Sequence, residues 1–125
     1  AAAQGENYDC FVRKNTRMPF MVMPDAIEAI LNLMDGDKSE LSQHVYNITS
    51  FNPSAGEFAE KVNQFFPHTI IRNSINTKRQ AIVDSWPANV DDSAACNDWK
   101  WSPTFDLNSA FKNYLIPQIT KRYEK

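Results

Sequence analysis

Three glycines in 125 residues, Gly5, Gly36 and Gly56, lie too far apart to form a phosphate-binding turn. A dinucleotide loop needs clustered glycines, so that backbone N–H groups can reach a phosphate at a helix N-terminus. No such fingerprint and no Walker loop is encoded. The two histidines, His44 and His68, are isolated, and there is no HExxH pair. No metal site and no catalytic constellation can be assembled from these residues. Cys10 and Cys96 are far apart and make no CxxC spacing. Two unpaired thiols in a reducing, cytoplasmic setting are expected. The net charge is −2, and basic residues cluster only at Lys78-Arg79 and Lys121-Arg122. That balance excludes an electrostatic case for nucleic acid or an anionic membrane. No apolar run is long enough to span a bilayer, and no charged-then-apolar leader opens the chain.

What is present is a core's worth of apolar residues, 42% hydrophobic with 12% aromatic. Tyr8 to Val12 alternates as a strand. Pro24 suits the first turn of a helix whose stripe is Ile27, Ile30, Leu31 and Met34, with Gly36 placed for a left-handed cap. His44 to Thr49 reads as a second strand, so the sequon Asn47-Ile48-Thr49 is not expected to be glycosylated. Ser54 and Glu57 have capping-box spacing before a helix with Phe58, Val62, Phe65 and Phe66 on its buried face. Thr69 to Ile71 predicts a third strand, and Asn73 to Asn89 predicts a loop. Asp91 or Asp92 caps a short helix. Asp106 caps a last one, which Pro117 should kink near Asn113. Strands alternating with helices argue for α/β. Few strands argue for one partial domain over residues 1–125.

The run Asp92-Ser93-Ala94-Ala95-Cys96-Asn97-Asp98-Trp99-Lys100-Trp101-Ser102-Pro103 resembles the closing motif of the extended short-chain dehydrogenase/reductases. Thr16 to Ala26, with Met23-Pro24-Asp25, and Arg79-Gln80-Ala81-Ile82-Val83-Asp84-Ser85-Trp86-Pro87 are similar to the NAD-dependent L-threonine dehydrogenases of short-chain type. Tyr46 to Ser50 fits the same family. The resemblance runs from about Tyr8 to the last helix. It implies a C-terminal, substrate-binding α/β portion without the main Rossmann half. The tyrosine–lysine catalytic pair of the family is absent, since none of Tyr8, Tyr46, Tyr114 and Tyr123 has a lysine four residues on. Lys100 stands where the closing motif commonly has glycine.

The resemblance implies a fragment that binds a small amino or hydroxy acid in a complete, NAD-using oxidoreductase and does not turn over alone. Trp86 is expected to close over the substrate, excluding water, rather than to pack on a neighbouring helix, with Ser85 beside it. Arg17 reads either as an anion-orienting group or as a turn arginine. Met21 reads as pocket wall, although core filling is expected for two of Met18, Met21 and Met23. Arg79 reads as support for the site through a carboxylate such as Asp84, or as a structural ion pair. Trp99 and Trp101 should pin the last helix beside Pro103. The alternative is a non-catalytic interaction module that self-associates, as a homo-oligomer, through the face left bare by the missing half. An epimerase fragment is the third reading.

Overall fold

The computed structural model describes residues 1–123. A single pair of parallel strands, β1 (Tyr8–Cys10) and β2 (Ile71–Asn73), lies in register Tyr8↔Ile71, Asp9↔Arg72, Cys10↔Asn73. Parallel strands need a long crossover, and here it holds two helices, α1 (Met23–Asp35) and α2 (Ala55–Phe65). After β2 come α3 (Thr77–Asp84), α4 (Ser93–Trp99) and a final helical run. That run is α5 (Leu107–Ser109), a π-helical turn over Ala110–Leu115, and α6 (Ile116–Tyr123). The α/β expectation holds, with one strand fewer than the sequence suggests.

The strand expected over His44 to Thr49 does not form. Two of its apolar residues are partly buried without a ladder. Tyr46 and Ile48 pack on the Ala29–Ala95–Trp101 cluster, while Val45 stays 78% exposed. Pairing comes only after it, in the isolated antiparallel bridges Phe20↔Phe51 and Arg17↔Ser54. β2 begins two residues later than Thr69, since Thr69 is buried and only Ile71–Asn73 pair.

Asn73 to Asn89 is not all loop. Asn76 caps α3, its side chain accepting from the Arg79 N–H at 3.1 Å. The periodicity is masked because the buried face of α3 carries one polar residue, Gln80, beside Val83.

The predicted capping box is present: Ser54 Oγ accepts from Glu57 N–H at 3.2 Å, and Glu57 Oε2 accepts from Ser54 N–H at 2.8 Å. Phe58 and Phe65 of α2 flank Phe111, with ring centroids 5.0 and 6.2 Å away. Gly36 does not take the left-handed cap; its φ is −65° and ψ 147°. A Cβ there would meet only ordinary van der Waals contacts, 3.4 Å from two backbone carbonyls and 3.9 Å from Trp99 Cβ, so neither backbone angle nor packing demands glycine. Pro117 does not break the last helix. The preceding turn widens to π register, with Ile116 N–H donating to Phe111 O. A wider turn relieves the clash of a proline ring with the carbonyl four residues back.

Buried apolar residues are few: Val12, Val22, Ala29, Val83, Ala95, Trp101, Ala110 and Phe111. On α1, Met23, Ile27, Ile30, Leu31 and Met34 are all more than half exposed. The stripe read from the sequence is therefore real as a face and uncovered in the described residues.

Candidate functional site

The turn after β1 and the C-terminal end of α3 face each other across a polar cleft. It is lined by Arg13, Asn15, Thr16, Arg17, Val83, Asp84, Trp86 and Ala88 and encloses about 230 Å³. Three bonds from Gln80 and Arg13 tie its walls, and a fourth, from Gln80 to Asp84, lies within α3. Arg13 N–H donates to Gln80 Oε1 at 2.7 Å, and Gln80 Nε2 donates to Asp84 Oδ1 at 2.6 Å and Thr16 Oγ1 at 3.0 Å. The Arg13 guanidinium donates to Asp84 Oδ2 at 2.5 Å.

Arg17 lies on the same rim, its guanidinium donating to Glu57 Oε1 and to the Asn52 carbonyl, both at 2.8 Å. Two guanidiniums thus stand beside two carboxylates, and both carboxylates are held below their ordinary range. For Asp84 the main cause is the Gln80 amide, then Arg13. For Glu57 it is the Arg17 guanidinium, then the Ser54 N–H. The arginine side chains are 49% and 44% exposed. A guanidinium has five N–H donors, so each keeps donors for an incoming anion. Trp86 overlooks the cleft, 55% exposed, its backbone N–H fixed to Val83 O at 3.0 Å. The arrangement offers cationic donors beside an exposed indole. Asp84 is the one carboxylate in its lining, beside the two guanidiniums.

Of the residues singled out from the sequence, Trp86 and Arg17 meet at this cleft. Met21 packs on the Ala29–Ala95–Trp101 cluster and is not in the lining. Ser85 turns back on α3, its hydroxyl donating to Ile82 O at 2.6 Å. Arg79 does not reach Asp84, whose oxygens are taken by Gln80 and Arg13; its guanidinium lies over the Phe11 ring, 5.0 Å from the centroid. Arg13, Thr16 and Gln80 went unmarked in the sequence, and Asp84 was marked only as a partner for Arg79. The signal for them was the i, i+4 spacing of Gln80 and Asp84, visible only once Thr77 to Asp84 is read as a helix.

A second, larger cavity of about 440 Å³ opens between the strands and α2, walled by Val12, Met18, Phe20, Phe58, Val62 and Ile71 among others. Thr16 borders both spaces. Cys10 and Cys96 are both free. Among the described residues no helix is long and apolar enough to cross a membrane, and no acidic, histidine or cysteine cluster could hold a metal.

Comparisons with known proteins bear on the chain as a whole. Bovine mitochondrial L-threonine 3-dehydrogenase is 36% identical over 106 residues, 85% of this chain and 28% of that protein. An uncharacterized epimerase/dehydratase of Staphylococcus aureus is 32% identical over 115 residues, 91% of this chain and 36% of that one. Among solved structures, a monomeric L-threonine 3-dehydrogenase from a metagenome superposes with a TM-score of 0.89 at 35% identity. It covers 99% of this chain and 39% of its own. The chain belongs to the extended short-chain dehydrogenase family of threonine dehydrogenases and epimerase/dehydratases. A GalE-like L-threonine dehydrogenase from Cupriavidus necator superposes as well, with a TM-score of 0.86 at 32% identity, over 99% of this chain and 43% of its own. No protein-family model matches. The chain spans roughly a third of the length of the curated relatives it matches.

A nicotinamide dinucleotide does not fit the residues present. Gly56 is the one glycine in the first turn of a helix, where a pyrophosphate would approach. The space beside it is filled by Lys14, whose Cγ stands 2.6 Å from where a Cβ would be. Gly5 lies at a 3-10 turn and Gly36 at a helix end.

Proposed function

We propose that residues 1–125 form the partial domain that walls the substrate pocket of an NAD-dependent oxidoreductase resembling L-threonine dehydrogenase. The observation that carries the reading is the half-exposed Trp86 over a cleft bordered by Arg13 and Arg17. A volume of about 230 Å³ suits a small amino or hydroxy acid rather than a drug-sized ligand. Its carboxylate would take the free guanidinium donors bidentately, and the indole would shed water from its other end. The secondary alcohol would be oxidised by hydride transfer to NAD held elsewhere. No step of that transfer runs through these residues.

The test is an NMR titration of the chain with L-threonine and, separately, L-lactate. The expected result is a saturable shift of the Trp86 indole and the Arg13 and Arg17 signals, with the Arg13 shift lost in Trp86→Ala and the Trp86 and Arg13 shifts lost in Arg17→Ala, and no NADH formed when NAD is added. Unmoved Trp86 and arginine signals at saturating acid would overturn it.

The bare stripe of α1 supports a second reading, self-association of this chain as a non-catalytic module. Five apolar side chains along one helix, 53–73% exposed, present a face that a second copy could cover about a two-fold axis. Sedimentation should then show a dimer that Ile30→Glu and Met34→Glu convert to monomer. A monomer at every concentration rules this reading out.

A further inference from the structure

Gln80 is 2% exposed, the largest fully buried side chain beside Asp25, and it is an amide in a thin apolar interior. Burying an amide costs free energy unless its donors and acceptor are met. All are met here by the cleft. The Arg13 N–H can only donate and the Asp84 carboxylate can only accept, so the amide has one workable orientation. Its third partner, Thr16, lies 64 residues away in sequence, on the opposite wall. Asp84 is two residues before Trp86, whose N–H is held by Val83 of the same turn.

We propose that Gln80 is the positioning residue of this cleft, locking the Arg13–Thr16 turn to the Asp84–Trp86 turn so that the cationic wall and the indole lid keep one spacing. The inference rests on the reading of the cleft as an acid-binding site. The linkage itself is a property of the empty protein. Gln80 touches no ligand; it acts through Arg13, Thr16 and Asp84.

Gln80→Glu is the informative change, because it keeps the shape and sets a carboxylate against Asp84 at hydrogen-bond distance. Two carboxylates that close cannot both be ionised cheaply, so one binds a proton well above the ordinary range. The ligand-free variant should therefore show the Arg13 amide, the Thr16 amide and the Trp86 indole titrating together at one midpoint above that range, where the native chain is flat. L-threonine should bind about tenfold more weakly once that proton is lost, the loss of one charge-assisted contact.

The exchange Gln80→Glu with Asp84→Asn restores an amide–carboxylate pair and should abolish the titration and recover the affinity. A filler role would give a pH-independent loss that the exchange does not repair. The proposal is overturned if Trp86 stays still while the new carboxylate titrates, or if the exchange rescues nothing. Should Gln80→Glu not fold, Thr16→Val removes one arm alone, and an unmoved Trp86 indole there also overturns it. A native chain that ignores L-threonine, yet whose Trp86 follows residue 80, sinks the ligand assignment and leaves the linkage standing.

Discussion

Tyr46 donates its hydroxyl to Asp98 Oδ2 at 2.6 Å, joining the segment before Phe51 to the end of α4 across 52 residues. The same oxygen accepts from Ser42 N–H at 2.8 Å and Ser42 Oγ at 2.7 Å. The Tyr46 bond, followed by those of Ser42, holds Asp98 below the ordinary aspartate range. A carboxyl depressed in the folded state stabilises fully above its unfolded value and loses that contribution as pH falls through its folded one. Asp98→Asn should therefore lower the urea midpoint near neutrality, and the gap to the native chain should close in acid, as pH falls below the ordinary aspartate range. Tyr46→Phe should lower the midpoint too, by removing the first of the three donors. An equal gap in acid and at neutrality would contradict the assignment.

Lys100 has φ 61° and is the one non-glycine at positive φ among the described residues. It caps α4 in the left-handed conformation, its side chain donating to Asn97 O at 2.8 Å. Left-handed backbone costs an L-residue roughly 1–2 kcal/mol. Lys100→Gly should therefore stabilise the chain, by about 1 kcal/mol after the more flexible unfolded glycine is counted. Lys100→Val should do the opposite. Chemical denaturation of the three proteins measures the order, and a Gly variant less stable than the native chain contradicts the strain.

Gly56 sits in the first turn of α2, where glycine normally weakens a helix by ~0.5–1 kcal/mol relative to alanine. That gain is not available here. A Cβ would lie 2.6 Å from Lys14 Cγ, 2.8 Å from its Cε and 3.2 Å from its carbonyl, which accepts the Gly56 N–H at 2.8 Å. Gly56→Ala should destabilise, by roughly 1 kcal/mol, as overpacking does. Adding Lys14→Ala removes the flexible part of the clash and should return part of the loss. A double-mutant cycle in denaturant reads the coupling.

The sequence made the local devices legible wherever one residue's chemistry decides them. Ser54 with Glu57, the cap at Asp106, the proline at the start of α1 and Lys100 in a place where glycine is common belong to this kind. It misled where burial came without periodicity. Tyr46 and Ile48 are covered by tryptophans from another segment, so a run that looks like a strand has no ladder. Gln80 inverted the pattern of α3 by placing an amide on its inner face. The cleft was half legible for the same reason. Trp86 and Arg17 stand out by type, whereas Arg13 and Thr16 matter only through partners 64 to 71 residues distant, and Asp84 joins them through Gln80 and Arg13 rather than Arg79.

Asp25 is 1% exposed and opens α1, where a carboxylate favours the helix N-terminus. Its oxygens accept from Ser50 Oγ at 3.0 Å, Thr104 N–H at 3.1 Å and Phe105 N–H at 3.2 Å. One side chain therefore anchors the approach to α5 against α1, 79 residues upstream. Asp25→Ala would strand three donors in a place water reaches poorly, at about 1–3 kcal/mol for each buried unmet group. Asp25→Asn keeps one acceptor oxygen and turns a donor toward groups that also donate. Both should destabilise, alanine by roughly 3 kcal/mol and asparagine by less, within the upper range for single substitutions. Hydrogen exchange adds the decisive reading. The Thr104 and Phe105 amides should lose protection in both variants, whereas those of β1 should change only as global stability does. If Thr104 and Phe105 exchange no faster relative to β1 than in the native chain, Asp25 is not the anchor of that approach.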